Sequence, residues 1–184
     1  MGWLLLALAV LILPLQWLIA AFLAASVHEL GHYLALRLCR VPVHGVRIGV
    51  VGMRMLVGDM GRWQNLICAL AGPIAGLSLL LLSQWLPRTA VCACIQSAYN
   101  LLPVYPLDGG RCLYCICRIF LPEDYSEIIF RIMENLILFF LFIGTVAICF
   151  HFKTGIVPLF FWLGLVYRHF NGKTPCKETF QAVQ

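Results

Sequence analysis

An apolar run from Trp3 to Leu38 carries His28-Glu29-Leu30-Gly31-His32 in its second half, and nothing else in the chain restricts its fold as severely. As a single helix the run would measure about 54 Å, nearly twice the thickness of a hydrocarbon core. Pro14 is therefore expected to divide it, leaving a short first segment that ends near Leu13 and a second from Leu15 to Leu38. Ionisable side chains at membrane depth are expensive and mark function by default. On a helix His28 and His32 stand one above the other on the same face, so both imidazoles can reach one cation while Glu29 lies beside it. This is the chemistry of a hydrolytic zinc site: two imidazoles are two of three protein ligands, the open position takes a water, and the carboxylate accepts its proton. A chance His-Glu-x-x-His on a solvated helix carries little weight. In lipid, the same trio without a cation would be desolvated at a cost of several kcal/mol, which argues against accident.

Of the 184 residues, 62% are hydrophobic and only 11% charged, which is the composition of an integral membrane protein. The N-terminus has no positive region before its apolar stretch, so no cleavable signal is expected. The 9 cysteines are an odd number, and most lie in apolar segments, which reads as packing and not as a disulfide framework. Cys112 and Cys115 form a lone C-x-x-C without a second pair. The net charge of +5 has no basic stripe interleaved with aromatics, so nucleic acid is not an expected partner.

The fold class expected is an all-α polytopic membrane protein with five or six transmembrane segments. A short β-hairpin region near the membrane surface, within Val41 to Gly61, should separate the histidine-bearing helix from the next span, because β-branched residues there alternate with Gly, His44, Arg47 and Arg54. Gln64 to Trp85 reads as a clean span. Its Gly72-Pro73-Ile74-Ala75-Gly76 permits close helix approach and predicts a kink. A helix from about Ala90 to Leu102 should then break, since Asn100 to Arg111 contains Pro103, Pro106, Gly109 and Gly110 and cannot be regular helix. Irregular backbone at membrane depth is tolerated only where it is buried or lines a polar cavity. Asp124 or Ser126 should cap a long helix ending near Phe150, and a last span should run from Ile156 to about Arg168. His44, His151 and His169 are expected at the surface. Residues 1–170 form one domain and 171–184 a short polar tail. Placing Arg37 and Arg40 on the cytoplasmic side leaves only Arg88 and Lys153 outside, so the C-terminus is expected in the cytoplasm.

The pair of motifs, His28-Glu29-Leu30-Gly31-His32 in one span and Asn100-x-x-Pro103-x-x-x-x-Asp108-Gly109 in a later one, resembles the site-2 protease family of intramembrane zinc metalloproteases. The span with Ala71-Gly72-Pro73 looks like the family's middle core helix. The stretch Asn100 to Gly110 is similar to the bacterial branch typified by the sporulation protease that processes a pro-sigma factor. The resemblance covers residues 15 to 120. It implies Zn2+ held by His28, His32 and Asp108, Glu29 as general base, and Asn100 positioning substrate or stabilising the oxyanion. It also implies a membrane-anchored regulatory protein as substrate, cut within or near its transmembrane helix, and a bacterial cell membrane as the location. Some relatives carry a PDZ or CBS domain for which this chain has no room, so gating is expected from membrane partners or from the substrate.

The other acids support Asp108 as the third ligand. Asp59, Glu123, Asp124 and Glu178 fall in turns or the tail, and Glu127 is placed to pair with Arg131. Glu134 is the rival. It is expected to reach the headgroups by snorkelling and to have no part in the site. The competing function, a metal transporter or sensor using the same histidines, lacks the internal repeat such proteins show and has no need of Glu29. A catalytically silent chaperone-like protein would be expected to have lost a motif residue, and none is lost.

Overall fold

The computed structural model describes residues 14–49, 52–58, 60–152 and 157–171. Among these are six helices and one two-stranded sheet: α1 Leu15–Leu38, β1 Val43–Gly49, β2 Gly52–Val57, α2 Arg62–Ser78, α3 Pro87–Asn100, α4 Asp108–Phe120, α5 Glu123–Phe152 and α6 Val157–Asn171. The segment before Pro14 and the tail beyond Asn171 lie outside the described residues, as do the side chains of Arg47 and Arg54.

Helix α1 begins directly after Pro14, whose ψ of 143° is extended. Proline is disfavoured in a helix interior, where it removes a hydrogen bond, but suits the residue before a helix start. At the other end, Arg40 takes a left-handed φ of 56°. The N–H of Arg40 then donates to Arg37 O at 3.1 Å and that of Val41 to Leu36 O at 3.0 Å. These are the two bonds of a Schellman cap, and Val41 packs with Leu36 as that cap favours. The turn aims the chain into the hairpin, where β1 and β2 pair antiparallel from Val43 opposite Val57 to Gly49 opposite Gly52.

Helix α2 starts where the Gly61 N–H donates to Gln64 Oε1 at 2.9 Å, one half of a capping box. It runs through Pro73 as a continuous helix and continues as a 3-10 turn over Leu79–Leu82. Its buried face is Cys68, Ala69, Gly72, Pro73 and Gly76, small residues against which α1, α3 and α4 all pack. Small side chains let backbones approach where lipid supplies no hydrophobic drive between helices. Pro87 opens α3 at the first helical position, where its missing N–H costs nothing.

The break after α3 is shorter than the sequence predicts. It covers 101–107, and Gly109 to Arg111 belong to the first turn of α4. The glycines are present for proximity and not to interrupt the helix: a Cβ on Gly109 would overlap the Leu101 carbonyl, and one on Gly110 would overlap Val104 and the Tyr105 nitrogen. Likewise α5 begins at Glu123, before Asp124 and Ser126, so neither precedes the helix as a cap.

Three described stretches are long and apolar enough to cross a membrane: Leu15–Leu38, Arg62–Leu82 and Tyr125–Cys149. Only 28%, 33% and 11% of their most apolar windows are buried inside the fold, so most of that apolar surface must be covered by lipid. Helices α3, α4 and α6, with 14, 13 and 15 residues, are shorter than the ~20 a simple crossing needs. The expected count of five or six spans includes these short helices and a first segment outside the described residues. The fold is a membrane protein, mostly helical, with one surface hairpin.

Candidate metal centre

His28 and His32 project from α1 toward the N-terminus of α4. There His28 Nε2 lies 3.1 Å from Asp108 Oδ2 and 3.2 Å from His32 Nε2, while His32 Nε2 lies 3.3 Å from the same oxygen. Asn100 Nδ2, on the last residue of α3, comes within 3.0 Å of His28 Nε2. One imidazole nitrogen bears either a proton or a lone pair and cannot satisfy three such neighbours. Three donors converging on one point are explained by a cation between them: a tetrahedral zinc with bonds near 2.0–2.1 Å has ligand-to-ligand edges of about 3.3–3.4 Å. Among the described residues these three side chains are the group able to hold a metal ion. Cys112 and Cys115 are buried and belong to no such group.

The tautomer of His32 follows from its other nitrogen. Nδ1 faces the Cys68 carbonyl at 2.7 Å, and a carbonyl only accepts. Nδ1 therefore carries the proton, and in the neutral ring Nε2 presents its lone pair to the centre. His28 is almost fully buried, and its Nδ1 has no hydrogen-bond partner. Asp108 is the first residue of α4, where the helix dipole favours a carboxylate. Glu29 is half-buried, beside His28 in the chain and within electrostatic reach of both histidines and Asp108.

Helix α2 sets the spacing of the site. A Cβ at Gly72 would overlap the His32 imidazole, and one at Gly76 would meet Ser97 Oγ at 2.5 Å. Ser97 Oγ donates to the Pro73 carbonyl at 3.3 Å, tying α3 to α2. Arg62 Nη1 donates to Arg118 O at 2.7 Å and does the same for α4. Ala-Gly-Pro is legible in the sequence as a close-approach signal, but that the approaching group is a histidine ring is not.

The solved site-2 protease of Methanocaldococcus jannaschii superposes on this chain with a TM-score of 0.58, over 89% of this chain and 83% of that one, at 20% identity. The fold is that of a site-2 protease. A curated protein of the same organism, zinc metalloprotease MJ0392, is 26% identical over 165 residues, which cover 79% of this chain and 47% of that protein. The chain thus spans about half the length of the curated relative it matches. No protein-family model matches the chain. Within the site-2 protease fold, the structure brings together the sequence-predicted His28, His32, Asp108 and Asn100, with Glu29 alongside.

Two expectations are corrected at the edge of this site. Glu134 does not snorkel: it is 2% exposed, and its Oε1 accepts a hydrogen bond from the Tyr105 N–H at 2.6 Å. His169 is not a surface residue, since its Nδ1 lies 3.1 Å from that same oxygen. His44 and His151 are exposed as expected.

Proposed function

We propose that this chain is an intramembrane zinc metalloendopeptidase of the site-2 protease class, which cleaves membrane-anchored regulatory proteins within or near a transmembrane segment. The reading is carried by the convergence of His28, His32 and Asp108 donor atoms within 3.3 Å of one another, with a glutamate at the next position in a span. His28, His32 and Asp108 would hold the zinc, which when bound would polarise a peptide carbonyl and acidify a water. Glu29 would take a proton from the attacking water as its oxygen adds to the carbonyl carbon, then deliver it to the amine nitrogen as the C–N bond breaks. Asn100 directs its side-chain amide N–H at the carbonyl oxygen as negative charge develops there. A substrate helix hides its peptide bonds in its own hydrogen bonds and must unwind first. The β1–β2 hairpin offers a strand edge to the unwound segment. The membrane is that of a bacterial cell, and other membrane proteins are the regulatory partners this reading calls for.

Glu29→Gln tests this. The variant should insert in the membrane and bind zinc like the wild type while losing cleavage of a membrane-anchored substrate, because the carboxylate acts on water and does not ligate the metal. A Glu29→Gln protein that still cleaves sinks the hydrolase reading.

A further inference from the structure

Among the described residues of α5 up to Leu138, the buried ones are Ser126, Phe130, Glu134 and Leu138, one stripe at helical spacing. A carboxylate in the middle of this stripe is out of keeping with a helix that otherwise faces lipid. An apolar side chain would fill the position at no electrostatic cost, whereas a buried carboxylate needs partners to persist. Its partners are specific. Glu134 Oε1 receives the Tyr105 N–H at 2.6 Å, a short bond of the charge-assisted kind, and His169 of α6 holds the same oxygen at 3.1 Å.

Tyr105 lies within the turn that joins Asn100 to Asp108. Inside that turn Val104 N–H donates to Leu102 O at 2.7 Å and Leu107 N–H to Val104 O at 2.9 Å. Val104 and Leu107 are buried against Leu138 of α5 and Leu165 of α6. Gly110, in the first turn of α4, sits so close to Val104 and the Tyr105 nitrogen that a Cβ would not fit. A displacement of Tyr105 is therefore passed to the turn of helix that bears Asp108. Trp162 Nε1 donates to Leu138 O at 3.1 Å and holds α6 against α5 beside the couple.

We propose that Glu134 and His169 are positioning residues for the metal centre: together they anchor the backbone of the Asn100–Asp108 turn, and so set where Asp108 and Asn100 meet the two histidines of α1. The inference rests on the zinc-peptidase reading for its consequence but not for its geometry. Among the described residues α5 and α6 add no member to the ligand group, yet through this couple they determine the placement of one.

The test compares full-length Glu134→Ala, Glu134→Gln and His169→Ala with wild type in detergent. In metal-free protein, amide hydrogen exchange over residues 101–107 should accelerate in Glu134→Ala and return toward wild type in Glu134→Gln, whose amide oxygen still accepts the Tyr105 N–H. Zinc affinity should fall about 10- to 100-fold in Glu134→Ala, the range seen when groups supporting a ligand are removed. The visible spectrum of the cobalt-loaded protein should change, and cleavage should lose kcat with KM kept. Unchanged exchange at 101–107, or Glu134→Gln no better than Glu134→Ala, overturns the proposal whether or not the protein cleaves anything. Should Glu134→Ala not fold, His169→Ala carries the test: exchange over residues 101–107 should accelerate in it as well, and wild-type exchange there overturns the couple. Failure of the peptidase reading shows separately, as cleavage by Glu29→Gln.

Discussion

Gly31, inside the histidine motif, is the position where the smallest chemical change should most disturb the centre. It lies on the face of α1 against α2, and an added Cβ would stand 2.5 Å from Ala75 Cβ and 2.6 Å from the Ala71 carbonyl oxygen. Neither can yield, since one is a Cβ and the other is helix backbone. Restoring an ordinary contact of about 3.4 Å or more asks the helices to part by roughly 1 Å, overpacking worth about 1–3 kcal/mol. The His32 Nδ1 bond to Cys68 O, 2.7 Å in the native protein, then stretches beyond hydrogen-bonding range. Asp108 stays with α2 through the α2–α4 packing, so the carboxylate and the histidines separate by a similar distance. Metal–ligand distances tolerate only about 0.2 Å. Gly31→Ala should therefore weaken zinc binding about 10- to 100-fold, which is about 1.4–2.7 kcal/mol, while the protein remains folded and inserted. Zinc affinity by chelator competition reads this, with Leu30→Ala as control because Leu30 is 51% exposed and faces away. Wild-type affinity in Gly31→Ala would refute the claim that α1–α2 contact sets the ligand geometry.

Asn100→Ala should retain zinc and lose about 10²–10³ in kcat, the range for removing one donor to a developing oxyanion; single-turnover cleavage measures it, and lost metal with intact turnover of the loaded fraction would instead make Asn100 a structural support. A reporter fused after Gln184 should be active in the cytoplasm, as the distribution of basic residues expects, and a periplasm-only reporter that works there would reverse the topology.

Much of this molecule is written in local signals. Pro14 alone fixes where α1 begins, and the spacing of His28 and His32 places both rings on one helical face before any tertiary contact is known. The hairpin is legible for the same reason, because alternation and glycines act over a few residues. So is the break before Asp108, since Pro103 and Pro106, three residues apart, each remove a helical N–H donor and crowd the preceding turn. That local account fails at Gly109 and Gly110, which composition reads as irregular backbone. They are helical, and their small size is demanded by Leu101, Val104 and Tyr105 folded back against them. It fails again at Glu134 and His169. Whether an acid in an apolar helix reaches the headgroups or turns inward depends on what stands opposite, and the partners, Tyr105 and His169, lie 29 and 35 positions away in the chain. The sequence by itself determined which residues are proposed to carry the chemistry, because helix period and proline geometry are properties of neighbouring residues. The packing of α2, α5 and α6 decided where those residues meet, because closeness between distant segments comes from the shapes that fill the space between them.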